Sequence, residues 1–453
     1  MLNAHVIEVE RKSLLSLVKF IGFASIFVYI ILTAAPLSAG GNSHGPGPQH
    51  PSPEFMHQGD HHDGNFYGVE NLAYYGDWDS NRVFIINVDD MSLLKTVTDT
   101  GDGPYGVDQE GGATAYALTR KTESVTVIEN YFIENIGRIF LDHKPRSTNF
   151  NPDTGFSLVS GADKVMTSLI KVNSDKLTKV FGIDELVQPH DYGGSLSTGH
   201  PLWVNDRQFF MLDRAARKIQ LWNPRGKVLS TLHTATSVHH IFQQPASTMK
   251  KGDEHVYYAV EEGNRDEPTP PAVLRFELRR NKLVETGRVE LNSIDPEKYN
   301  ASVMGAHHAS FRPDGKFIYV GSAEGNLFVV NRKKMKVVKA IEVGMGAGHT
   351  TILSMRNKAI ITNHNDTFVS VIDTEKHKLL RNVEVADSAS SDYKSQAHTS
   401  GVSLDMQYFY SAASHDGVFY KIDLDTWVVE KALSVDANLL MGSFIWNGDG
   451  SNM

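Results

Sequence analysis

Four short apolar runs, separated by turns rich in Asp, Asn and Gly, recur about every 40 residues along most of this chain. The unit is clearest between positions 303 and 350. His308-Ala309-Ser310-Phe311 comes first, followed by a Pro313-Asp314-Gly315 turn. The runs 317–320, 327–330 and 337–340 complete it, with a second turn at Glu324-Gly325-Asn326. Each run is about four residues, too short for a stable helix and right for a strand. Four antiparallel strands per repeat, stacked radially, is the pattern of a β-propeller blade.

Aligning the turns gives eight units, at about 61–100, 103–141, 145–182, 199–233, 238–291, the stretch 303–350 that also holds the start of the next, 348–385 and 397–435. The fold expected is therefore all-β, a propeller of eight blades, or seven if the first unit shares its blade with the C-terminal run. That run, 439–446, is apolar and could pair with the first unit and close the ring, which removes free strand edges.

What precedes the repeats has a different character. Arg11, Lys12 and Lys19 flank an apolar run at 20–35, and Pro36-Leu37-Ser38-Ala39-Gly40 has the small residues of a cleavage region. Residues 1–39 read as a signal peptide or N-terminal anchor, so the expected location is the periplasm or outside the cell. A membrane is a partner only if that segment is retained. Residues 40–60 are a linker of Gly, Pro and His, and the propeller is expected over 61–453.

The chain carries no cysteine, which excludes disulfides, thiolate metal sites, iron–sulfur clusters and a Cys nucleophile. A net charge of −9 without a basic block gives no footprint for nucleic acid. Histidine is then the principal soft-metal ligand available. Its placement is regular: one position ahead of each unit's first strand holds His61 or His62, Tyr105, Arg146, His200, His239 or His240, His307, His349 and His398. Six of those eight positions carry histidine, far more than 20 histidines in 453 residues would place there by chance. In a propeller these positions converge at one end of the central channel. Converging neutral imidazoles are what copper, zinc or iron requires.

Neighbouring strand residues face opposite ways, so only one histidine of each adjacent pair is expected at the axis. Turn alignment favours His307 over His308 and leaves His239 and His240 open. His364 and His415 fall in turns on the same face, as a second layer. Arg146 beside metal-bound imidazoles would favour an anionic substrate. His190, in a longer connection, and Glu261, in the turn region of the fifth unit, are candidates to move protons.

The units resemble the YVTN-type repeat of exported bacterial propellers. Phe317-Ile318-Tyr319-Val320-Gly321-Ser322 and Thr367-Phe368-Val369-Ser370-Val371-Ile372-Asp373 carry that likeness. With the histidine register, and with Gly59-Asp60-His61-His62 ahead of the first unit, the chain resembles the catalytic domain of nitrous-oxide reductases. It resembles thiocyanate dehydrogenases more closely, which stand alone without a cysteine-containing domain. Those likenesses imply a multinuclear copper centre held by His61 or His62, His200, His239 or His240, His307, His349 and His398. They imply an oxidoreductase in which copper activates water against a small inorganic anion or molecule, with a cytochrome-type electron acceptor. The d1-haem propellers, also eight-bladed, offer a haem alternative. A metal- or partner-binding propeller without catalysis, zinc included, is the third reading.

Overall fold

Buried central strands and exposed outer strands build every repeat of the computed structural model, which describes residues 6–7, 71–110, 113–182, 197–387, 389 and 395–446. In the sixth blade Ile318, Tyr319, Val320 and the run Leu327 to Val330 are wholly buried. Both faces of these middle strands are covered by neighbouring blades, so they read as unbroken apolar runs rather than as an alternating pattern. The outer strand Lys378–Glu384 of the next blade is exposed at six of its seven positions, and it is correspondingly charged.

The result is all-β, an eight-bladed propeller with four antiparallel strands per blade. The innermost strands of blades 2 to 8 are Pro104–Glu110, Pro145–Asn151, Leu202–Asn205, Val238–Phe242, Ala306–Phe311, Ala347–Leu353 and Gly401–Val402. Blade 1 takes its innermost strand from the C-terminal end. Leu439–Ile445 pairs with Leu72–Asp77, matching Leu72 to Ile445 and Tyr75 to Gly442. That pairing closes the ring and leaves blade 1 no open inner edge. A two-residue strand, Val6–Ile7, adds to the outer edge of blade 3, opposite Phe181 and Val180. The remainder of the expected export segment, the linker, His61 and His62 lie outside the described residues.

Eight apolar clusters hold the ring, one in each gap between blades. Between blades 3 and 4, for example, Phe181, Phe209, Trp203 and Trp222 interlock. Each fully buried side chain of this size stabilises the fold by about 1.5–3 kcal/mol. The turns use one recurrent device. The third strand runs into an Asn or Asp whose side chain caps the turn: Asn87 accepts from Asp89 N, Asn331 from Lys334 N, Asp373 from Glu375 and Lys376 N, and Asp423 from Asp425 and Thr426 N. Four residues further on, Met91, Met335, His377 and Trp427 sit in the left-handed region, with φ of 42–62°. His377 is therefore a turn residue of this repeat, and its ring lies against Phe317 and Tyr319.

Candidate metal centre

A β-bulge at the start of the inner strand recurs in blades 1, 2, 3, 5, 6 and 7. In blade 6 Ala306 pairs with Ser322 and Ala309 with Val320, so three steps on one strand match two on the other. Blade 5 repeats this between Val238 and Ile241. A bulge breaks the two-residue alternation and re-aims side chains. The residues so released are the register positions: His239 and His240, His307 and His308, Tyr105, Arg146, and Met441 from the closing strand. His200 and His398 enter just ahead of their short strands. The backbone N–H of His200 donates to the His239 carbonyl at 3.0 Å. Gly199 allows that approach, since a Cβ there would lie 2.2 Å from the same oxygen.

These side chains converge. Tyr105, Arg146, His200, His239, His307, His308, His349, His398 and Met441 line a cavity of about 20 Å³ on the channel axis, on a scale where one water needs about 10–15 Å³. Ring centroids are 3.8 Å apart for His239 and His307, 4.0 Å for His308 and His349, 5.0 Å for His200 and His239, and 5.8 Å for His307 and His398. Three groups of three could hold a metal ion: His200, His239 and His308; His307, His349 and His398; and His239, Glu262 and His307, which shares one histidine with each of the others. Within each group one ligand atom per residue lies within 4.8 Å of the others. His239 Nε2 and His308 Nδ1 are buried with no hydrogen-bond partner among the described residues, which is unfavourable unless something else binds them.

Burial keeps two of these rings neutral. Burial pushes the pKa of His239 well below the usual imidazole range, assisted by His307 and Arg146. Burial does the same to His308, assisted by His349 and His307. A neutral ring offers a lone pair to a cation without first losing a proton.

The surroundings are polar and specific. Glu262 is buried and takes 2.7 Å hydrogen bonds from Arg214 Nη2 and from Ser237 Oγ. Its Oε1 lies 3.4 Å from His239 Nδ1. Arg146 Nη2 is 3.2 Å from the same Nδ1. Burial, then Arg214 and Arg120, lowers the Arg146 guanidinium to about 9. Arg120 stacks on Tyr105, 3.2 Å from the ring centroid. His364 packs behind the second group, 4.3 Å from His398 and 5.3 Å from His349 between ring centroids, with Nδ1 at 3.1 Å from the Gln396 carbonyl. Gly348 makes room for it.

Several sequence expectations change here. Both His307 and His308 line the cavity, because the bulge cancels the alternation that would have sent one away. Of the other pair His239 lines the cavity, and His240 lies behind it, buried and stacked on Phe242. The blade-1 place at the axis is taken by Met441, while His61, His62 and His190 lie outside the described residues. Glu261 does not face the cluster. It is bound to Arg288 at 2.6 Å and to Ala235 N at 2.6 Å, and its neighbour Glu262 is the carboxylate beside the histidines. His415 is exposed. Arg120, Arg214 and Met441 went unmarked in the sequence. Arg214 had one available signal, its place in the same class of turn as His364 and His415.

No family model matches this chain, and no curated protein does. Among solved structures it is similar to dihydro-heme d1 dehydrogenase NirN in complex with DHE. The TM-score is 0.59 at 14% identity, over 82% of this chain and 74% of that one. It is likewise similar to apo AztD from Citrobacter koseri, with a TM-score of 0.56 at 14% identity, over 83% of this chain and 98% of that one. At such identities the likeness shows the propeller fold.

Proposed function

We propose that the chain is an exported metalloprotein whose axial imidazoles hold two metal ions, copper before zinc or iron, in an oxidoreductase acting on a small anion. The observation that supports this best is the pair of adjacent three-histidine groups around one small cavity. Ligation by imidazole alone suits copper, and the general order of divalent affinities places copper above zinc. Bound copper would supply Lewis acidity and take up electrons, which would pass to an external acceptor such as a cytochrome.

The chain's own residues divide the remaining tasks. His200, His239 and His308 would hold one ion, and His307, His349 and His398 the other. Glu262, fixed by Arg214 and Ser237, lies 3.4 Å from His239 Nδ1 and would orient that ring by accepting its N–H once Nε2 is ligated, as a carboxylate behind a ligating histidine does. His364 braces His349 and His398. Arg146 and Tyr105 face the cavity from the side without histidine, where a negative ligand would sit.

A haem, the alternative that the similarity to NirN keeps open, is too large for this cavity itself. A cavity of about 20 Å³ is far below the roughly 300 Å³ or more of pockets that take ligands of drug size. Elemental analysis of the exported protein, with copper and zinc offered in equal amounts, tests the proposal. Two coppers per chain, falling to one in His349→Ala, would support it. A chain that takes only zinc, or takes no metal, would refute the copper reading.

A further inference from the structure

His239 Nδ1 has two neighbours that make opposite demands on it. Arg146 Nη2, at 3.2 Å, can only donate, so it needs a bare lone pair on that nitrogen. Glu262 Oε1 lies 3.4 Å away without a hydrogen bond in this arrangement; an ionised carboxylate only accepts, so a bond between the two requires an N–H on Nδ1. One nitrogen of a neutral ring cannot serve both. The opposite nitrogen, Nε2, is buried without a hydrogen-bond partner among the described residues.

A cation on Nε2 resolves the conflict in one direction. It uses the Nε2 lone pair, so the single proton of the neutral ring must reside on Nδ1. Nδ1 then donates to Glu262 and has nothing to offer Arg146. Arg146 forms no ion pair among the described residues, and its Nε is already buried without a hydrogen-bond partner. Its guanidinium lines the cavity. Once released from His239, it is a half-buried cation without a counter-charge among the described residues, in need of an anion. Arg214 is neutralised by Glu262, whereas Arg120 lies on the ring of Tyr105 and leaves that wall positive. The small volume limits the ligand to a few atoms.

We infer that metal and anion binding are coupled through His239: a metal on this ring commits Nδ1 to Glu262 and frees Arg146 to hold a small anion beside the centre. This rests on the metal reading above. The order is then metal first and anion second. By linkage, the anion strengthens metal binding by the factor by which metal strengthens anion binding.

Calorimetry with azide as probe anion tests the coupling on the full chain, metal-free and loaded with Zn(II), which adds no redox chemistry. Wild-type protein should bind azide in the zinc-loaded form about tenfold or more tightly than when metal-free. Zinc-loaded Arg146→Gln should lose that gain while keeping the wild-type zinc stoichiometry, which also reports that the variant is folded. Arg146→Lys should recover part of it. Equal azide affinity with and without zinc, or in wild type and Arg146→Gln, overturns the coupling and leaves the metal reading standing. Failure of the wild type to take up zinc, copper or iron overturns both.

Discussion

Gly348→Ala is a small change with a calculable consequence. A Cβ at Gly348 would lie 2.0 Å from His364 Nε2 and 2.2 Å from its Cδ2, where ordinary contact begins at 3.4 Å. The His364 ring must therefore retreat by about 1.4 Å, the difference between 3.4 and 2.0. It is poorly placed to do so, being buried, held near the Gln396 carbonyl and packed 4.3 Å from the His398 ring. Overpacking of this kind costs about 1–3 kcal/mol. Disturbing a group that positions a ligand typically weakens metal binding about 10- to 100-fold. The loss should fall on the group of His307, His349 and His398 and spare that of His200, His239 and His308. Competition with a chelator, read as metal bound per chain, would show two phases in wild type and one weakened phase in the variant. Gly137→Ala is the control, because a Cβ there meets nothing within 4 Å. Two unaltered phases in Gly348→Ala would refute the bracing role of His364, and a single phase in wild type would refute the division into two sites.

Two further predictions concern buried carboxylates. Burial raises the pKa of Glu110 from 4.5 to about 8, with Asp108 adding to the shift. The folded state thus keeps a proton that the unfolded chain releases above about 4.5. Stability should fall as pH rises from about 4.5 to 8, by up to about 1.4 kcal/mol per pH unit for this group. Urea midpoints at pH 5 and pH 8 should differ less in Glu110→Gln than in wild type, and parallel profiles would contradict the assignment. Glu262→Ala leaves Arg214, only 6% exposed, without its counter-charge. Thermal or urea denaturation should record a loss of about 3–5 kcal/mol, and a change below about 1 kcal/mol would show the pair to be unimportant.

Much of the fold was legible because its signals are local. Turn residues such as Pro313-Asp314-Gly315 mark strand ends, and the apolar run at the C-terminal end, here Leu439–Ile445, has a natural partner in the first blade's Leu72–Asp77. The register of His200, His307, His349 and His398 follows from the same turns. What escaped depends on features without a residue signature. A bulge between Ala306 and Ala309 is accommodated by ordinary residues, so nothing in His307-His308 announced that both rings turn inward. Met441 reaches the axis only because ring closure places a strand from the far end of the chain there. Glu261 and Glu262 are equivalent on paper, and the strand's last pairing, Glu261 with Ala272, decides which one meets Arg288 and which meets Arg214. The place of His364 depends on Gly348, a residue without a side chain.

Anomalous diffraction from crystals of the copper-loaded protein, recorded at the copper edge, tests the central claim most directly. Two peaks should lie on the channel axis, each about 2.0 Å from imidazole nitrogens of one three-histidine group. Copper found only at surface histidines, or an axial cavity holding nothing but water, would contradict it.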